Sequence, residues 1–188
     1  MEDASHRSSD FIKHVFTLIS GTAIAQLIPI ILSPFLRRWI SVEDYALFEV
    51  FFRLISILSI VVALRYPMAV VLPKDDKEAT NVVGAALLSS LSINALIFVI
   101  ICFFIESIGH IINISSDSYY VLFFVPLGAF LISACNTFNY WLIRKKAFKA
   151  SSVNKVVHKT SESGFWVLFT FLKVNTALVY GDLIARAA

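Results

Sequence analysis

The sequence predicts an all-α integral membrane protein, a multi-pass helical bundle, and three observations carry that expectation. Apolar side chains make up 58% of the 188 residues and charged ones 15%, against about 45–50% and about 25% in soluble domains. The few charges are clustered, which leaves uncharged runs at 79–105 and 118–143, each longer than the about 20 residues that cross a bilayer as a helix. Basic residues also fall in alternate connections, the pattern that orients a membrane protein.

The same figures exclude other classes. So apolar a chain is no disordered segment, and a net charge of +3 is too small for the basic surface of a nucleic-acid-binding domain. Cys102 and Cys135 fall inside apolar runs, where small buried hydrophobes are expected rather than a disulfide or a metal site. The uncharged run at 15–36 exceeds the about 7–15 residues of a signal-peptide core and no small-x-small site closes it, so it reads as a retained first span.

Residues 1–14 form a cytoplasmic N-terminal segment, and 15–188 the transmembrane bundle. The span at 15–36, about 33 Å long as a helix, should be kinked by Pro29 and Pro34. Arg37, Arg38 and Trp39 then make a short connection, and Ser41 is placed to cap the helix that carries the span at 45–64. The third span, 79–105, follows a turn holding Asp75 and Asp76. The fourth, 118–143, has Asp117 or Ser118 as a cap. A fifth at 153–172 is the least apolar, because Lys155, His158, Lys159 and Glu162 sit in its first half. The run from Ala177 to Ala188 is too short to cross a bilayer, and is expected to be a sixth span cut short. With the N-terminus inside, the cytoplasmic side collects Arg7, Lys13, Arg65, Lys74, Lys77, Arg144, Lys145, Lys146, Lys149, Lys155 and Lys159. The opposite side holds only Arg37, Arg38 and Lys173.

Polar groups inside the spans are the candidate functional residues. Tyr45, Glu49, Arg53 and Ser56 recur at helical spacing on one stripe of the second span. Charges at mid-bilayer cost about 2.5–3.5 kcal/mol each and face a bundle interior or a wet cavity. Glu49 and Arg53 either neutralise each other and lock the helix, or Arg53 contacts an anionic substrate while Glu49 holds it or exchanges a proton. Lys155, His158, Lys159 and Glu162 share a face of the fifth span. They either snorkel to the headgroups or line a basic mouth suited to phosphate. Asp182 and Arg186 form a third pair four residues apart. Gln26, Asn94, Asn136 and Asn139 are placed for interhelical hydrogen bonds. Ala129, Ser133 and Thr137 would let another helix approach, and Tyr119, Tyr120, Tyr140 and Trp141 sit where an interfacial aromatic belt belongs.

No P-loop, nucleophile elbow, HExxH or paired CxxC is present, so an enzyme is not expected, and neither is a metal or other cofactor. A bundle with a polar interior and no transfer machinery is expected to move something. The segments LISGTAIAQLIPIILSPFL at 18–36, VEDYALF at 42–48, ALRY at 63–66, VLPKDD at 71–76, LIRKKAFK at 142–149 and GDLIAR at 181–186 are similar in order and spacing to the N-terminal half of polysaccharide biosynthesis proteins. These are the O-antigen and capsule flippases of the multidrug/oligosaccharidyl-lipid/polysaccharide exporter superfamily. The resemblance implies the N-terminal lobe of a MATE-like flippase in the bacterial inner membrane. It would carry undecaprenyl-pyrophosphate-linked sugar units to the periplasmic leaflet by alternating access. Partners implied are membrane lipids, the lipid-linked oligosaccharide, a polysaccharide polymerase and glycosyltransferases. A pyrophosphate needs a hydrated, cationic path, for which Arg53, then Arg65 and Lys159, are the expected contacts. Gln26, Asn136 and Asn139 are placed for sugar hydroxyls, and Glu49, Glu162 and Asp182 for proton or ion coupling. Two alternatives remain: a multidrug exporter of the same superfamily, and a membrane fragment that does not transport.

Overall fold

The structure, a computed structural model, describes residues 19–20, 22–28, 30–34, 38–171 and 176–187. Among them the regular structure is entirely helical. α1 is Thr22–Pro34; the kink expected at Pro29 lies outside the described residues. The elements that follow are α2 (Val42–Ala63), α3 (Tyr66–Ala69), α4 (Asp76–Ile112), a 3-10 segment (Ser116–Phe124), α5 (Val125–Arg144), α6 (Phe148–Phe171) and α7 (Ala177–Ala187).

α2 starts where its cap requires: the Asp44 amide donates to Ser41 Oγ at 3.0 Å, and Glu43 and Asp44 place negative charge at the helix N-terminus. It ends as Leu64 and Arg65 enter the left-handed region at φ 45 and φ 61, which turns the chain sharply into α3. α4 is longer than its apolar run. Its 37 residues extend about 55 Å, well beyond the about 30 Å hydrocarbon core, and its helical path is broken at Phe104 (φ −119, ψ 20). The cap expected at Asp117 or Ser118 is not made. The chain winds through 116–124 as 3-10 turns with no side-chain cap, and the α-helix begins only at Val125. Pro126, which has no N–H to donate, fits that first turn.

α5 is the central helix, packed against α2, α3, α4, α6 and α7. Its Gly128 faces Ile55 and Phe51 of α2 so closely that an added Cβ would lie 2.9 Å from Ile55 Cγ2. Ala129, Ser133 and Thr137 are all buried, as their spacing predicted. The core joins Phe48, Phe51 and Ile55 to Ile101, Val121, Leu122 and Val125, and to Leu178, Val179 and Leu183 of α7. Cys102 is exposed and Cys135 half-buried, both free. Neither is the buried small residue that was expected, because Cys102 falls on the outward face of α4.

Val42–Ala63, Asp76–Ile112 and Ser116–Arg144 are each long and apolar enough to cross a membrane. They carry large apolar residues such as Ile57, Ile60, Leu88 and Phe103 outward, an arrangement suited to lipid rather than water. The molecule is an all-α membrane bundle. Arg144 joins two connections at one of its ends, donating to the carbonyls of Val70, Pro73 and Lys74 and pairing with Asp76, which Lys145 also contacts.

Candidate functional site

α6 and α7 lie against each other at Gly181, where an added Cβ would sit 2.7 Å from Trp166 Cδ1 and 3.2 Å from the Trp166 backbone nitrogen. That close approach sets the charged stripe of α6 beside the charged pair of α7. Lys159 Nζ donates to Glu162 Oε2 at 2.6 Å. Arg186 grips Asp182 with two parallel bonds, Nε to Oδ2 and Nη2 to Oδ1, each 2.7 Å. Glu162 is 1% exposed and Asp182 0%. The result is a quartet of two cations and two anions, balanced in charge, in which Glu162 and Asp182 are buried, Arg186 nearly so and Lys159 is half-buried. Ions pay heavily for leaving water, so such a group survives only with close pairing.

Two cavities flank the quartet. One of about 230 Å³ is lined by Ser33, Tyr45, Phe48, Glu49, Phe52, Lys159, Glu162, Trp166 and Leu178. The other, about 510 Å³, lies among α5, α6 and α7 and takes in Cys135, Asn139, Asn154, Lys155, His158, Ser161 and Arg186. Among the described residues, the buried atoms Glu162 Oε1, Trp166 Nε1 and His158 Nδ1 have no hydrogen-bond partner.

The structure thus brings together Glu49, Lys159 and Glu162 in one cavity, with Asp182 behind them. It places Asn139 in the second cavity, where it accepts from Ser151 Oγ at 3.2 Å. The remaining candidates lie outside both. Asn136 and Arg65 are exposed, Arg65 with Nη1 3.9 Å from Met68 Sδ. Gln26 is exposed in a recess beside Thr22, whose hydroxyl Lys155 reaches at 3.4 Å. Arg53 is paired with Glu49 at 3.8 Å, but its side chain is 77% exposed. Asn94, also singled out, is buried and donates to the Ser90 carbonyl at 2.9 Å. The charged stripes of the sequence already single out His158 and Arg186; Trp166 is the site residue they miss, although it extends the Lys159–Glu162 stripe by one more turn. Among the described residues no group of three metal-ligating side chains gathers.

A family model described as polysaccharide biosynthesis protein matches residues 11–185. No curated protein and no solved structure matches the chain.

Proposed function

The chain belongs to the polysaccharide biosynthesis protein family, and from that premise we propose that it is a flippase, a transporter rather than an enzyme. Its cargo would be undecaprenyl-pyrophosphate-linked sugar units, carried across the bacterial inner membrane by alternating access. In this reading residues 1–14 are cytoplasmic and 15–188 form the helical bundle.

The observation that carries the reading is the Lys159–Glu162 and Asp182–Arg186 quartet, its two carboxylates buried, between two cavities. A bundle that merely filled a membrane would gain nothing from it, since apolar residues of similar size hold helices together as well or better. Two neighbouring ion pairs, by contrast, can exchange partners with an anionic headgroup or a proton as the helices move. Lys159 is then the cation at the smaller cavity, and Glu162 and Asp182 are the coupling carboxylates, with Glu49 at the cavity wall. Arg53 adds a second argument. It lies mid-way along α2, where exposure to acyl chains would cost about 2.5–3.5 kcal/mol, so its outward face is best explained by a wet passage. Arg53 and Arg65 serve the pyrophosphate there, and Gln26, Asn136 and Asn139 the sugar.

The test is surface polysaccharide in a strain lacking its own flippase, with the protein expressed from its complete reading frame and matched for level. Lys159→Gln should lower the polysaccharide at least ten-fold, about 1.4 kcal/mol or more of lost stabilisation, and Arg53→Gln should also lower it. Full polysaccharide from both variants would overturn these assignments.

A further inference from the structure

A groove between α1 and α6 faces outward, away from the charged quartet. The two helices meet where Lys155 Nζ reaches Thr22 Oγ1 at 3.4 Å, and beside that contact they part around a cavity of about 270 Å³. Its apolar wall is Ile24 of α1 with Val153, Val156 and Val157 of α6, and among the described residues that line it Lys149 alone is charged. Lys149, Val153, Val156 and Val157 fall on one face of α6, at the spacing of successive turns. Ile24, Val153 and Val157 are each more than half exposed. In a membrane bundle such a wall opens toward acyl chains.

The neighbouring helix sets the depth of the groove. α5 ends at Arg144 and α6 begins at Phe148, so Lys149 lies just past the end of a helix long enough to span, at the level of headgroups. Trp141, whose ring has the Lys145 ammonium 5.1 Å from its centroid, marks that level as an interfacial aromatic. Lys145 is also held by Asp76. Lys146 and Lys149 are exposed and form no ion pair among the described residues, which leaves positive charge at the head of an apolar channel. From Lys149 to Val157 α6 rises about 12 Å, close to the about 15 Å of hydrocarbon in one leaflet. A soluble anion gains nothing from the valine wall. A phospholipid carrying its own ammonium brings a like charge to the lysines, and no carboxylate among the lining residues receives it. An anionic phospholipid matches both the charge and the wall.

We infer that the groove between α1 and α6 holds an anionic phospholipid of the surrounding leaflet, its phosphate at Lys149 and one acyl chain along Ile24, Val153, Val156 and Val157. This lipid is a resident of the membrane and not cargo, so the site stands whatever the bundle carries.

The experiment is photolabelling of the protein, expressed from its complete reading frame, in phosphatidylcholine nanodiscs. The probes are trace phosphatidylglycerol and trace phosphatidylcholine, each with a diazirine on one acyl chain, and labelled peptides are identified by mass spectrometry. Phosphatidylglycerol should label the segments holding Ile24 and Val153–Val157 at least five-fold more than phosphatidylcholine does. The α4 segment around Phe103, exposed and apolar, should take both probes equally and serves as the internal reference. Lys149→Gln should cut the phosphatidylglycerol label in the groove about five-fold, the share of one lysine beside an anionic headgroup, and high salt should weaken the label as well. Val153→Trp adds bulk at an exposed position and should reduce groove labelling by filling the channel. Equal labelling by the two probes, or a label unchanged in Lys149→Gln, overturns the site. Displacement of the label by undecaprenyl phosphate as effectively as by unlabelled phosphatidylglycerol also overturns it, because the groove would then serve a cargo lipid. Phosphatidylglycerol labelling of a protein that restores no surface polysaccharide overturns the flippase reading alone.

Discussion

Asp182 and Arg186 sit at the bottom of an energetic trap. The two hydrogen bonds that Arg186 donates to Asp182, each 2.7 Å, compensate two charges that the apolar interior would otherwise reject, and removing one partner abandons the other. Asp182→Asn should therefore destabilise the protein by about 3–5 kcal/mol. Asp182→Asn with Arg186→Gln should be less destabilised than Asp182→Asn alone, because the uncompensated charge has gone. Urea or thermal unfolding in detergent for the four members of this cycle checks it. Additive losses would mean that the pair is not the isolated buried couple the geometry describes. This pair was readable in the sequence, since spacing of four residues on a helix brings side chains together. The environment was not. Asp182 is buried among the helices packed on α7, and no local pattern in α7 announces which helix will cover it.

Helix contacts decide whether those residues meet at all. Gly181 is the position at which α7 touches the backbone of α6, at 3.2 Å from the Trp166 nitrogen for a Cβ placed there. Gly181→Val cannot be absorbed by a flexible side chain, so α7 has to move outward, at a cost of about 1–3 kcal/mol. Transport should fall with it even though no charged residue has changed. A variant with intact stability and activity would show that the helices tolerate wider separation. The other end of the bundle depends on one guanidinium. Arg144 serves the Val70, Pro73 and Lys74 carbonyls and Asp76 together, a load that a lysine's single ammonium cannot carry. Arg144→Lys should lower the unfolding midpoint nearly as far as Arg144→Ala, and full rescue by lysine would show that charge alone matters. Element ends were legible where local chemistry fixes them, as at Ser41. They were misread where a proline intervened, since Asp117 looked like a cap while Pro126 set the true start of α5.

At the scale of the whole molecule, hydrophobic length alone gave the three strongest spans, because lipid imposes a minimum that few other structures need. It could not give the cavities, which arise from where helices fail to touch. Arg53 makes this a measurable matter. On α2 it is exposed at 77%, as fully as Phe103 on α4, yet the two side chains want opposite solvents. If the outer face of α2 borders a wet passage, Arg53→Cys in a background with Cys102 and Cys135 replaced by serine should react with a membrane-impermeant, water-soluble thiol reagent. Phe103→Cys in the same background should not, because the thiolate that reacts does not form in hydrocarbon. Silence at both positions would put Arg53 against lipid. Its charge would then be held only by Glu49, and the case for a cationic passage along α2 would fall.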